Sequence, residues 1–251
     1  MNQPKVRSAD PLNAEAPDEK TERVAAVERA LSILNAFHRD DEPLSLRELA
    51  QRTGLYKSTL LRLLSSLIRF STVHQLADGR YQLGHTVLHW GSVYQASMRL
   101  EHLVLPVLEQ LALRTGEGTS YFRREGDVRL CLYRIDSQRS VRDHMHVGDI
   151  LPLKTGAAGR VLIEFDSDVL PPTSVFVSIG EREPDIAAVA APVFERSGKV
   201  AGCISISGPA NRFTTATLPD HLNAVREAAV LLTQKLGGPT DKLNLPLPVV
   251  I

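Results

Sequence analysis

Apolar side chains recur at steps of three and four residues between Leu60 and Ile68, which is the pattern of an amphipathic helix. We expect its apolar face to be buried; the positions on that face are Leu60, Leu61, Leu64, Leu67 and Ile68. The opposite face carries hydroxyl and basic groups and no acid, at Ser58, Arg62, Ser65 and Arg69. A solvated face usually mixes acids with bases, so this composition favours a binding surface. An ordinary amphipathic helix is the alternative for this stretch taken alone.

Two further helices are predicted before this one. The first covers about residues 22–38 and ends at the breaker RDDEP; its inward positions are Val24, Val27, Leu31, Leu34 and Phe37. The second, SLRELAQRTG, has Ser45 and Glu48 at the spacing of a capping box. Gly54 supplies the turn into the leucine-rich helix. Two short helices joined by such a turn predict a helix-turn-helix in which the second helix reads the nucleic acid.

The segment TVHQLADGRYQLG predicts a β-hairpin directly after this unit. Asp78-Gly79 is a strong signal for a tight turn between two short strands. A hairpin in this position is a wing, and Arg80 at its tip is placed to contact a backbone phosphate or a minor groove.

The second half of the chain predicts an α+β domain. A helix over residues 85–100 is expected to link the two domains, and a second helix follows over residues 101–114. Beyond Gly116 the chain breaks into short alternating or β-branched runs, namely TSYFRR, VRLCLYRI, SVRDHMHV, VFVSI, IAAVAAPVFE and KVAGCISISG. Helices are expected at TGAAGRVLIEF and over residues 219–236. An antiparallel sheet flanked by helices is the natural assembly.

Charge is informative only locally. The 251 residues carry 29 basic and 29 acidic side chains and have a formal net charge of zero. The window from Pro43 to His85, however, has six bases and two acids, a net charge of +4. Its bases are Arg47, Arg52, Lys57, Arg62, Arg69 and Arg80. A basic patch in a neutral protein suits a surface that faces phosphate.

Other classes of protein lack support in the sequence. Cys131 and Cys203 have neither CxxC nor ligand-like spacing. No apolar run approaches the roughly 20 residues of a membrane span, and the N-terminus lacks a signal-peptide core, so we expect a cytoplasmic protein without a membrane partner. No Walker or dinucleotide glycine pattern is present, and no cofactor is expected.

Candidate metal and catalytic groups are weak. His85 and His89 are four residues apart but lack a third ligand, and His144 and His146 share a face only if their run is a strand. CISISG lacks the glycine spacing of a nucleophile elbow. We therefore expect no catalytic residues and no metal site.

With these elements in this order, the chain resembles the IclR family of bacterial transcriptional regulators over about residues 22–238. The motifs that carry the resemblance are VERALSILNAF, LSLRELAQRTGLYKSTLLRLLSSL, GRYQLG, LPLKTGAAGRVLIEF and VAAPVFERSGKVAGCISISGP. The resemblance implies a winged-helix reader of double-stranded DNA joined to a GAF-like effector domain, in a homodimer or a dimer of dimers. The expected divisions are residues 1–21 as a disordered tail, 22–84 as the DNA-binding domain, 85–100 as the linker helix, 101–238 as the effector domain and 239–251 as a loose tail.

The resemblance places the contacts of the recognition helix at Lys57, Ser58, Thr59 and Arg62. Basic side chains at Arg47 and Arg80 extend the expected DNA-binding surface. Tyr56 stands where many members carry proline, so the rigid first turn is absent here.

Effector-binding positions follow in the same way at Ala157, Ala158, Ser178, Ala188, Ser205 and Ser207. The residue pattern adds Gly156, at the start of the helix, and Cys203, on the same strand face as the last two serines. Independently, Cys203, Ser205 and Ser207 alternate with two isoleucines, so one strand face is small and polar. Residues 156–158 begin a helix whose N–H groups favour a carboxylate, and a small organic acid is therefore the expected effector. The alternative is that these small residues only allow close packing of helix on sheet.

Two departures from the family pattern limit what the resemblance implies. Members that sense small oxo-acids carry an acid and a cysteine where this chain has Ser178 and Ala188, so that chemistry is not expected. The segment between Phe165 and Ser178 is also shorter than in typical members.

The leading hypothesis is a ligand-responsive transcriptional regulator that binds a pseudo-palindromic operator. The alternative is a small-molecule-binding protein or an enzyme whose winged helix mediates protein contacts only.

Overall fold

The computed structural model describes residues 24–167 and 169–248. Its internal contacts divide the chain into two compact units, with the division between Met98 and Arg99. The tail expected over residues 1–21 lies outside the described residues.

The N-terminal unit has the predicted order of helices and strands. Its elements are α1 (Ala25–Asn35), α2 (Leu46–Thr53), α3 (Lys57–Arg69), β1 (Val73–Gln75), β2 (Tyr81–Leu83) and α4 (His85–Met98). The strands pair antiparallel, with Gln75 opposite Tyr81. This arrangement is a helix-turn-helix followed by a wing.

The predicted signals set the turn between α2 and α3. The Ser45 side chain accepts a bond from the Glu48 N–H at 3.3 Å, and the Glu48 carboxylate accepts one from the Ser45 N–H at 2.7 Å. Gly54 ends α2 with φ +70°, a conformation that suits glycine. Both ends of α2 are thereby capped, and the chain turns at Gly54 toward α3.

The core of this unit is small, and it joins the wing to the helices. Its fully buried centre consists of Ile33, Leu49, Leu60, Leu64 and Val73. Leu44 exchanges two backbone hydrogen bonds with Tyr81, at 2.8 and 2.7 Å, so the residue before the α2 cap also pairs with the wing.

Two predicted apolar faces are narrower in the structure. Leu61 is 51% exposed, because the stripe that packs on the core is Leu60, Leu64 and Leu67, and one helical step turns Leu61 outward. In α1 only Ile33 is buried, and the predicted inward residues Val24, Val27 and Leu31 are exposed. This helix also ends at Asn35, three residues earlier than expected.

Helix α4 carries apolar side chains without burying any residue. Leu88, Trp90 and Val93 are all more than half exposed in the single chain. Packing within the chain therefore does not account for their apolar character.

The C-terminal unit is built on a six-stranded antiparallel sheet, which confirms the predicted α+β class. Its elements are α5 (Glu101–Thr115), β3 (Gly118–Glu125), β4 (Val128–Ile135), β5 (Ile150–Pro152), α6 (Gly156–Glu164), β6 (Phe176–Ile179), β7 (Ile186–Phe194), β8 (Val200–Pro209) and α7 (Leu218–Lys235). The strand order is β5-β4-β3-β8-β7-β6.

The two faces of this sheet are covered by different helices. The Cys203 thiol approaches the Ala158 carbonyl at 3.6 Å, which places α6 on the face of Cys203. Thr119 pairs with Ile206 across β3 and β8, and its hydroxyl donates to the Leu108 carbonyl of α5 at 3.0 Å. Because side chains alternate along β8, α5 covers the opposite face. The small polar side chains of β8 thus lie beneath α6.

The run SVRDHMHV is not the strand that its alternation predicts. Side chains hold this segment instead: Arg134 donates to the Asp143 carbonyl at 3.1 Å, and Arg212 donates to the Val141 carbonyl at 3.0 Å. The strand next to β4 is the short β5, where Ile150 lies opposite Leu130, and sequence analysis missed it.

Residues 240–248 do not form the loose tail that was expected over residues 239–251, of which 249–251 lie outside the described residues. Leu243 is fully buried, and Ser174 bonds to the carbonyls of Pro246 at 3.2 Å and Leu245 at 3.1 Å. The alternate leucines of LNLPLP bring one apolar side onto the domain core.

A matched pair of substitutions tests the packing of α3. Leu60→Ala is expected to lower the free energy of unfolding by about 2–5 kcal/mol, since it leaves a cavity in a fully buried site. Leu61→Ala, at the half-exposed neighbour, should change it by at most about 0.5 kcal/mol. Urea unfolding followed by circular dichroism measures both. Equal losses would contradict the packing described.

Candidate functional site

The N-terminal half of α3 presents exposed polar and basic groups. Lys57, Ser58 and Arg62 are exposed, and Thr59 is half-buried. Tyr56 occupies the N-cap position without a side-chain hydrogen bond, so the first N–H groups of the helix have no side-chain cap among the described residues. Helix α3 begins at Lys57, although position 56 holds tyrosine and not the proline that the family resemblance implies. The positive end of the helix dipole and two cations therefore share one surface.

These charges are not neutralised within the described chain. Neither Lys57 nor Arg62 makes an ion pair among residues 24–167 and 169–248, and the same holds for Arg47 on the exposed side of α2. By contrast, Arg52 is bound to Asp41 at 2.5 Å and to the Ala36 carbonyl at 2.7 Å, a structural role that ties α1 to α2.

The wing tip is closed by its own ion pair. Gly79 has φ +85°, as the Asp-Gly turn predicts. Arg80 donates from Nε to Asp78 at 2.7 Å and from its backbone N–H to the same carboxylate at 3.0 Å. These bonds hold the pKa of Asp78 below its ordinary value and raise that of Arg80. Both side chains are exposed, so a phosphate can compete for Arg80.

In the C-terminal unit, a cavity of about 30 Å³ lies between the sheet and the first turn of α6. Seven of the eight predicted effector positions line it: Gly156, Ala157, Ala158, Ser178, Ala188, Ser205 and Ser207. Cys203 does not line it. Its thiol is fully buried against α6, and burial raises its pKa to about 12.

Sequence analysis missed several residues of this cavity. They are Phe122, Arg129, Asp143, Met145, Arg182, Ile186 and Ala187. Phe122, Ile186 and Ala187 were visible as members of strands beside the predicted positions. Asp143 and Arg182 lie in loops, where no sequence pattern gives the direction of a side chain.

Asp143 supplies a carboxylate to the cavity lining, whereas Ser178 and Ala188 supply none. Its buried carboxylate accepts bonds from the Ser207 hydroxyl at 2.6 Å and from Arg182 Nη2 at 2.5 Å. A short hydrogen bond to a charged partner is strong in a buried setting. This pair joins the loop before β5 and the loop after β6 at the cavity.

One N–H group at the start of α6 already has an acceptor within the chain, although a ligand carboxylate was expected there. Glu181 accepts from the Gly156 N–H at 3.0 Å, and its second oxygen pairs with Arg160 at 3.0 Å. An internal carboxylate therefore already occupies the start of the helix.

Arg129 is a buried cation at the same cavity. The residue is 3% exposed, and its Nη1 donates to the carbonyls of Pro152 at 2.5 Å and Thr155 at 2.6 Å. Its Nε has no hydrogen-bond partner in the described part of the chain. Burial lowers its pKa to about 10, so the group stays charged near neutral pH.

The weaker signals do not assemble into other sites. Among the described residues, no group of three or more histidine, cysteine, aspartate or glutamate side chains is placed to hold a metal ion. His144 and His146 do not lie on a strand. No helix within the described ranges is long and apolar enough to cross a membrane.

The chain matches two family models. The model of the IclR helix-turn-helix domain matches residues 26–77, and the model described as bacterial transcriptional regulator IclR C-terminal matches residues 93–169 and 173–233.

Named relatives and solved structures agree with these matches. The chain is 27% identical to the HTH-type transcriptional regulator KipR of Bacillus subtilis (strain 168), over 84% of this chain and 96% of that protein. It is 25% identical to XynR of Escherichia coli (strain K12), over 86% and 98%. The fold matches that of Thermotoga maritima IclR with a TM-score of 0.67 at 20% identity, over 84% and 98%. An IclR homolog from Microbacterium hydrocarbonoxydans, complexed with 4-hydroxybenzoate, matches with a TM-score of 0.71 at 20% identity, over 84% and 99%.

A winged helix-turn-helix followed by an antiparallel sheet domain with flanking helices defines a class of two-domain transcriptional regulators. The chain belongs to the IclR family of bacterial transcriptional regulators. It is a regulator with a DNA-binding helix-turn-helix, and it is not an enzyme. Its named relatives are likewise transcriptional regulators.

The buried state of the cysteines gives a direct test of where Cys203 lies. Both thiols are buried, with a pKa raised to about 12 by burial, so neither should react with Ellman's reagent in the native protein near neutral pH. In guanidinium chloride both should react, and the Cys131→Ser and Cys203→Ser variants should each lose one of the two. Rapid native-state labelling of Cys203 would instead place its thiol at the cavity surface.

Proposed function

We propose that this regulator binds a pseudo-palindromic operator through two copies of its winged helix, and that a small organic acid held in the cavity changes its operator affinity. The observation that carries the first part is the exposed start of α3, where Lys57 and Arg62 have no ion-pair partner among the described residues. Uncompensated cations at a helix N-terminus suit a phosphate-lined major groove.

The polar start of α3 supplies both kinds of contact that operator recognition needs. Lys57 and Arg62 are long enough to reach base edges or phosphates, and the exposed hydroxyl of Ser58 donates to either. Thr59 is half-buried, which suits a contact with the DNA backbone on the side nearer to the helix. Arg47 and Arg80 add phosphate contacts from α2 and the wing, and Arg80 would exchange Asp78 for phosphate.

A palindromic operator requires two heads, and α4 supports a homodimer or a dimer of dimers. Leu88, Trp90 and Val93 expose apolar surface on one short helix. Burying that surface against a second copy would remove it from water. Two-fold symmetry of the protein would then match two-fold symmetry of the operator.

The composition of the cavity supports an effector with polar groups. Ser178, Ser205 and Ser207 offer hydroxyls, and Phe122 and Met145 offer apolar walls. A relative of the same fold binds 4-hydroxybenzoate, which makes hydroxylated aromatic acids the first class to examine here. The cavity of about 30 Å³ holds about one water molecule, so an organic acid requires the loops that carry Asp143 and Arg182 to move apart.

The movement of the two loops that carry Asp143 and Arg182 also provides a mechanism by which an effector regulates operator binding. An effector shifts operator affinity only if it binds one arrangement of the protein better than another. Loops that must open around the ligand provide two such arrangements.

Substitution of the two uncompensated cations tests the operator contacts. Lys57→Ala and Arg62→Ala are each expected to weaken operator binding by about 1–3 kcal/mol and, where the lost contact is to phosphate, to reduce the salt slope by about one. The measurement is a mobility-shift titration at two salt concentrations, on DNA from upstream of the protein's own and adjacent genes.

Lys235→Ala is the matched control, because Lys235 is an exposed base at the end of α7 in the other unit. All three variants should keep the wild-type circular dichroism. Unchanged operator affinity in both α3 variants would contradict the assignment of α3. A wild-type protein with no salt-sensitive complex on any fragment, with or without candidate acids, would favour a winged helix that mediates protein contacts.

A further inference from the structure

We propose that Arg129 selects anionic effectors, by binding the effector carboxylate through the guanidinium nitrogens that the protein itself leaves unused. This inference rests on the proposed effector function of the same cavity. It assigns to Arg129 the role that sequence analysis gave to the N–H groups of α6.

The hydrogen bonds of Arg129 are unevenly distributed. A guanidinium has five N–H donors in a planar fork. Nη1 holds the carbonyls of Pro152 and Thr155, whereas Nε has no partner although it is buried, and Nη2 makes no hydrogen bond within the described residues. Leaving a buried charged donor unsatisfied is costly. Two of the three nitrogens therefore have no hydrogen-bond partner among the described residues.

The free side of the guanidinium lies next to a space that no side chain fills. A Cβ built on Gly156 would stand 3.6 Å from Arg129 Nη2 and 3.7 Å from the Ser178 hydroxyl. Gly156 has φ +76°, a conformation that disfavours any other residue. Glycine thus keeps open the place where a guanidinium and a hydroxyl converge, and both groups donate hydrogen bonds to a carboxylate.

The charges that line the cavity also favour an anion. Asp143 and Arg182 neutralise each other at 2.5 Å. Arg129 makes no ion pair in the described part of the chain, so the lining keeps one uncompensated positive charge. Two carbonyl groups offset only part of the cost of burying that charge. An effector carboxylate would supply the missing counterion.

The other candidate anion site is already filled. Glu181 accepts from the Gly156 N–H and pairs with Arg160, so a carboxylate that used the α6 N-terminus would have to displace Glu181. Binding at Arg129 needs no such displacement.

The test compares acids with their neutral amides, since this ratio isolates the charge of the ligand. The probes are acetate, benzoate and 4-hydroxybenzoate, each paired with its primary amide, and binding to the full-length protein is measured by titration calorimetry. At least one acid should bind wild type about 10- to 100-fold more tightly than its amide. This ratio corresponds to the free energy that a hydrogen bond to a charged group contributes. In Arg129→Gln the two affinities should converge, while Arg129→Lys should recover part of the preference.

Two controls separate this role from that of a brace for the turn at Pro152–Thr155. Operator binding without acid reports whether the Arg129 variants remain active proteins. Glu181→Gln should keep the preference for the acid, whereas a carboxylate seated at the α6 N-terminus would respond to this variant and not to Arg129→Gln.

Three outcomes would overturn the inference. A preference for the acid that persists in both Arg129 variants would leave Arg129 as a structural brace only. Equal wild-type affinity for an acid and its amide would show that the cavity does not select charge, while keeping its effector role. Failure of every acid to bind wild type would contradict the proposed carboxylate effector, and operator binding would stand or fall separately.

Discussion

When one face of a helix or strand packs on a core, the other face is exposed or carries side chains of a different kind. Both candidate sites depend on this constraint. Leu60, Leu64 and Leu67 fix α3 to its core, and the same rotation turns Arg62 to solvent. In β8, alternation sends Ile204 and Ile206 toward one face of the sheet and Ser205 and Ser207 toward the other. Packing that stabilises each unit therefore also orients the groups that bind.

Most buried charged side chains in the described residues form an ion pair within the chain. A buried charge without such a partner is therefore a candidate for binding a ligand. Glu117 is buried between Arg212 at 2.5 Å and Arg139 at 3.2 Å, and Asp143 is held by Arg182. These pairs fix loops, since removing one partner would leave a buried charge uncompensated. Arg129 is buried like them but is bonded only to carbonyls. We assign to the effector this buried cation, which has no ion pair among the described residues.

Membership in the IclR family accounts for the architecture but not for the chemistry of this cavity. Ser178 and Ala188 line it without supplying an acid, and Asp143 supplies one from a loop. Tyr56, which is 85% exposed, occupies the N-cap position of α3, and the helix begins at Lys57. The capping box and the terminal glycine set the two ends of α2, the helix before it.

The sequence by itself determined the elements that depend on local physics. The capping box, the Asp-Gly turn, the leucine stripe of α3 apart from Leu61 and the small first turn of α6 lie where their patterns predict, because each is set by neighbours a few residues away. It also indicated seven residues of the cavity, since strand alternation and helix starts are local properties.

Only the tertiary structure decided the rest. Alternation in SVRDHMHV predicts a strand, but side chains outside the run hold the segment as a loop and turn Asp143 into the cavity. Arg134 lies nine residues from Asp143, and Arg182, Ser207 and Arg212 are much farther along the chain. Glu181 at the start of α6 and the unshared nitrogens of Arg129 are likewise invisible to periodicity. Whether a charge is compensated depends on which distant groups the fold brings within a few ångströms, and no local pattern contains that information.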